Sequence, residues 1–86
     1  MKIIFSSHAL KRIRERGIDK KVVFEAIMSP DKIELSNIQK NRFLTKKIYF
    51  NKKLKKDHLL IIVCEKESNV LKVITIIDTS KISKHF

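Results

Sequence analysis

The 86-residue chain is 43% hydrophobic and 34% charged, with one glycine and one proline, a balance that fits one compact domain over residues 1–86 and excludes a second core or a disordered linker. Twenty Lys and Arg against nine Asp and Glu give a formal charge of +11, so nucleic acid or an acidic protein is the expected partner, with a lysine-rich solvated surface as the plain alternative. A lone cysteine, Cys64, excludes an internal disulfide, and no apolar run approaches the roughly 18 residues of a membrane span, which predicts a cytoplasmic protein without membrane contact.

Residues 1–5 read as a short strand or an extended lead-in. Ser6 and Ser7 offer a capping hydroxyl, and residues 7–16 hold helix formers without a breaker until Gly17, which predicts a first helix. Gly17 can take the left-handed conformation that closes it. Asp19 can cap a second helix over residues 19–29, where Val22, Val23, Ala26 and Ile27 recur at helical spacing up to Ser29-Pro30. The period then changes to two, with Ile33 and Leu35 alternating with Lys32 and Glu34 before turn residues at 37–41. Residues 42–51, 57–65 and 70–79 read as further strands, the last two apolar on both faces and therefore central. Residues 80–86 form either a short helix or an extended arm. The expected fold is α+β, two N-terminal helices packed on one face of an antiparallel sheet of about four strands. Ile13, Val23, Ile27, Leu60, Ile62, Ile74 and Ile76 are expected in its core.

The first helix carries the most specific chemical signal. At 100° per residue, His8, Arg12 and Arg16 fall at about 0°, 40° and 80°, forming one stripe beside the apolar Ala9 and Ile13. Arginine presents a planar fork matched to phosphate oxygens, and histidine can transfer a proton near neutrality. The ordinary reading is a basic solvated helix face. Arg42 is the one arginine outside this helix, at the start of a strand that could run beneath it, and it shares strand parity with Lys46 while Lys47 and Tyr49 point the other way. Tyr49 can stack on a base or pack across strands, and Thr75 places a hydroxyl in an apolar strand. His58 reads as a solvated turn residue, His85 as a frayed terminal one, and Cys64 as a small core residue. No glycine-rich phosphate cradle and no carboxylate cluster is visible, so neither a cofactor nor a catalytic metal is expected.

The run Phe5-Ser6-Ser7-His8-Ala9-Leu10-Lys11-Arg12, continued by Glu15-Arg16-Gly17-Ile18, resembles the opening F-x-x-H-A-x-x-R-x-x-x-R-x-I of domain-of-unknown-function family 4258, and the similarity continues at Arg42-Phe43, Leu60 to Glu65 and Val73 to Ile76. That family looks like an outlying branch of the toxin fold of the RelE, ParE and BrnT groups. The resemblance implies metal-independent RNA cleavage or toxin-like binding, with neutralisation by an acidic or DNA-binding antitoxin, and it marks His8, Arg12, Arg16, Arg42 and Thr75.

The function expected is therefore a toxin-like, metal-independent ribonuclease acting by attack of the ribose 2′-hydroxyl. His8 would be base or acid, Arg12 and Arg42 would bind the scissile phosphate, Arg16 a flanking one, and Thr75 would orient phosphate or water. Lys46, Lys47 and Tyr49 would extend the RNA track. The alternative is a non-catalytic nucleic-acid-binding module or a ParE-like inhibitor acting by contact, and a homodimer is left open.

Overall fold

A computed structural model describes residues 2–36 and 40–86. In chain order the elements are β1 (Lys2–Phe5), α1 (Ser7–Arg16), α2 (Lys20–Met28), β2 (Lys32–Leu35), β3 (Arg42–Asn51), β4 (Lys56–Glu67), β5 (Val70–Thr79) and α3 (Ile82–His85). No helix among the described residues is long and apolar enough to cross a membrane. The turn expected at 37–41 falls mostly on residues 37–39, which lie outside the described residues.

Local chemistry sets the helix ends. Ser6 accepts from the Ala9 amide at 3.0 Å and donates its hydroxyl to the Ile74 carbonyl at 2.7 Å, so one side chain caps α1 and ties it to β5. Gly17 closes α1 at φ +60°, with the Ile18 amide reaching back to the Ile13 carbonyl at 3.0 Å. Asp19 caps α2 through the Lys21 amide at 2.9 Å.

The sheet has the order β1-β5-β4-β3-β2. The antiparallel meander from β2 to β5 follows the expectation, but the sheet has five strands and is mixed, because residues 2–5 pair parallel to β5 from Lys2↔Val70 to Phe5↔Val73. Between these parallel partners the chain passes through both helices and the other three strands, because α1 and α2 carry it from the β1 edge to β2 at the opposite edge and the meander returns it to β5. The tail adds the third helix, α3, against the sheet.

Residues directly opposite each other in a ladder share a face. Leu60, Ile62 and Cys64 of β4 join Ala9 and Ile13 of α1 and Val23 and Ala26 of α2 in the main core, so the even positions of β4 lie under these helices. Leu59 and Ile61 are buried on the reverse face, where the end of α3 accepts a bond from Lys46. Of the expected core residues, Ile13, Val23, Leu60, Ile62 and Ile76 are buried, while Ile27 and Ile74 are half-buried.

Candidate functional site

The expected constellation does not converge on one point. His8 is exposed in the first turn of α1, and eight residues of helix place it about 12 Å along the axis from Arg16. Arg42 pairs with Glu65 in the ladder, and both lie on the sheet face away from α1 and α2. Its guanidinium is engaged there with the Glu65 carboxylate at 2.6 Å. Thr75, opposite Val63, lies on that same reverse face. A site uniting His8 and Arg12 with Arg42 and Thr75 would have to pass through the sheet.

The lysines of the expected track are committed to the fold. Lys46 is buried, with its ammonium on Glu34 at 2.8 Å and on the His85 carbonyl. His85, read as a frayed end, is the last residue of α3; its side chain is exposed while its carbonyl accepts from Lys46. Lys47 donates to the Ser29 carbonyl at the C-terminus of α2 at 3.1 Å and lies 3.6 Å from Asp31.

Cations without such partners are spread over the surface, and one group of them brings two segments together. Among the described residues, every Lys or Arg ion pair with a carboxylate involves Lys32, Arg42, Lys46 or Lys47. Arg12, Arg14 and Arg16 of α1 and Lys52, Lys53, Lys55 and Lys56 around the β3–β4 turn make none. These two segments meet, since Lys53 Nζ lies 3.0 Å from where a side chain on Gly17 would begin. Two adjoining clefts of about 360 and 460 Å³ open at this corner, and Arg16, Asn51 and Lys53 line both.

The larger cleft is also lined by His58 and Asp78. His58 was expected in a solvated turn, but β4 begins at Lys56, and its ladder places His58 opposite Tyr49 on the helix-covered face. His58 Nδ1 lies 3.2 Å from both Asp78 oxygens, and the two side chains are only 5% and 9% exposed, so the pair is held away from bulk water. Tyr49 donates its hydroxyl to Asp78 at 2.7 Å, and Asn51 donates to Tyr49 at 3.4 Å. Burial first, and then the Asp78 carboxylate, hold the Tyr49 phenol protonated well above its ordinary range.

This network fixes the imidazole. In the neutral ring a carboxylate at Nδ1 favours the tautomer whose proton sits there, which leaves Nε2 an acceptor. Nε2 is buried and without a hydrogen-bond partner among the described residues. Leaving such a group unsatisfied costs about 1–3 kcal/mol, so a water or a ligand hydroxyl reaching it is favoured. The structure therefore brings Arg16 and Tyr49 together with His58 and Asp78, which sequence reasoning passed over. The available signal was parity: His58 is in phase with Leu60, Ile62 and Cys64, and Asp78 interrupts an apolar strand beside Ile76 and Ile77.

No group of His, Cys, Asp and Glu among the described residues could hold a metal ion. Cys64 is buried, and desolvation pushes its thiol up to about 11, so it is a packing residue rather than a nucleophile at neutral pH. A family model described as Domain of unknown function (DUF4258) matches residues 5–78. No curated protein and no solved structure matches the chain.

Proposed function

The chain belongs to the DUF4258 family, and within it we propose a toxin-like, metal-independent ribonuclease domain that grips RNA where the end of α1 meets the β3–β4 turn. The observation that carries this reading is the meeting of Arg16 and Lys53 at two open clefts that both residues line. Ion-paired cations lie on β2 and β3, whereas the unpaired Arg16, Lys52 and Lys53 surround open clefts. Guanidinium and ammonium groups free of carboxylates are the ones able to release condensed counterions from a phosphate backbone. Two helices laid on a sheet are also the arrangement that the RelE, ParE and BrnT resemblance implies. An acidic or DNA-binding antitoxin would neutralise the domain by covering this corner, in competition with RNA.

Single-stranded RNA titrated at several salt concentrations tests the reading. If about five phosphates are neutralised, the slope of log K against log salt is near −3.5, and Arg16→Ala with Lys53→Ala reduces its magnitude by about 1.4, at roughly 0.7 per contact. Cleavage in EDTA should leave a cyclic phosphate end. Weak, salt-independent binding, or a slope untouched by both substitutions, removes RNA from this corner.

A further inference from the structure

The His58–Asp78 pair lies in the larger cleft, which Arg16 at the end of α1 also lines. We propose that His58 is the general base of this cleft, taking the 2′-hydroxyl proton of a ribose seated between Arg16 and Lys53, with Asp78 as its positioning residue. The inference rests on the RNA reading above and deepens it by naming the group that moves the proton.

Three features of the cleft support the assignment. The imidazole is oriented, because both Asp78 oxygens face Nδ1 at 3.2 Å and the Tyr49 hydroxyl holds the carboxylate by donating to its Oδ1 at 2.7 Å. The opposite nitrogen, Nε2, is buried and unpartnered in a side chain only 5% exposed, on a residue that lines the cleft. Cations stand at the same opening, since Arg16 and Lys53 line it too. A base, a group orienting that base, and positive charge for developing phosphorane charge are the parts that attack within RNA needs. His8 has Arg12 one helical turn away but lacks the orienting group. It has no carboxylate partner among the described residues and sits at the far end of α1.

The step balances without a metal or cofactor. The proton of O2′ passes to Nε2 as the O2′–P bond forms and the P–O5′ bond breaks. The leaving O5′ takes a proton from water, and the hydroxide so formed recovers the proton from the imidazolium. The products are a 2′,3′-cyclic phosphate and a 5′-hydroxyl. While the imidazolium exists, the Asp78 carboxylate stabilises its charge.

Single-turnover cleavage of a mixed single-stranded RNA pool, run in EDTA beside filter binding of the same pool, tests the proposal on the full chain. His58→Ala should lower cleavage by about 10²–10⁴-fold with RNA affinity within about twofold, and added imidazole should restore part of the activity, which a purely structural role would not allow. Asp78→Asn should lower kcat with KM held, and DNA of the same sequence should bind without being cut. Wild-type cleavage that survives His58→Ala overturns the assignment while leaving the ribonuclease reading intact. So does a loss in folded His58→Ala that imidazole fails to restore. Salt-sensitive RNA binding without cleavage overturns the assignment and leaves the binding module, whereas absence of RNA binding removes the assignment and the reading together.

Discussion

Lys46 shows why a cation in a protein of +11 need not belong to its anion-binding surface. Its stem crosses the reverse face of the sheet, and its ammonium meets Glu34 at 2.8 Å and the His85 carbonyl, so strand and terminal helix are joined through one charge. The hydrogen bond from Lys46 is the largest influence on Glu34 and, with Lys32, holds its carboxyl below the ordinary 4.5. A carboxylate whose folded pKa is depressed contributes stability above the unfolded value, and that contribution disappears as pH falls through the folded one. The urea midpoint of the wild type should therefore drop as pH is lowered from about 4.5, and Glu34→Gln should remove part of that drop while starting from a lower midpoint at pH 7. Equal acid sensitivity in both proteins would show that the Lys46 contact contributes nothing to the pH dependence. Arg42 is likewise engaged by a carboxylate, that of Glu65 at 2.6 Å on the same reverse face.

At the scale of elements, the junction between α1 and the β3–β4 turn depends on Gly17. A left-handed φ of +60° admits few side chains, and an added Cβ would also meet Lys53 Nζ at 3.0 Å, although that flexible ammonium can withdraw. Gly17→Ala should cost about 1–2 kcal/mol, a fall in Tm of roughly 4–16 °C for a domain of this size, and Gly17→Asn should cost less because Asn tolerates this conformation. An alanine variant melting with the wild type would show that the helix end adjusts without strain. Such helix ends are legible in sequence because Ser6, Gly17 and Asp19 act on amides and carbonyls a few residues away. The parallel pairing of β1 was not legible, since four residues carry too little pattern to reveal a partner that begins at Val70. Faces were harder still. Alternation correctly separated Arg42 and Lys46 from Lys47 and Tyr49, but which set lay under the helices depended on pairing with β4. In β5 the register shifts so that Cys64 meets Val73 and Val63 meets Thr75, reversing parity at Ile74. Leu71 and Val73, then Ile76, consequently face one core although they are out of phase in the chain. Apolar residues on both sides of Ile74 conceal that reversal, and with it the approach of Asp78 to His58.

At the scale of the whole molecule, +11 on 86 residues stores repulsion in the folded state, and its distribution determines what relieves it. A simple salt screens every exposed charge over a Debye length of about 10 Å at 0.1 M, so sodium chloride should raise Tm gradually and without regard to position. A polyanion acts differently. If it binds the folded corner formed by Arg16, Lys52 and Lys53, it adds stability as RT ln(1 + [L]/Kd), which is about 2.7 kcal/mol at one hundred times Kd. A short single-stranded RNA, made 2′-O-methyl throughout so that it cannot be cut, should therefore raise Tm well beyond chloride at equal ionic strength. The excess should shrink when Arg16 and Lys53 are replaced by alanine, because those residues line both clefts. It should persist when the ion-paired Lys32 is replaced, since that ammonium already lies 3.4 Å from Glu34. A rise equal to that from chloride, or an excess that Lys32→Ala reduces as much as the cleft substitutions do, would mean that the charge acts as a diffuse field rather than through this corner.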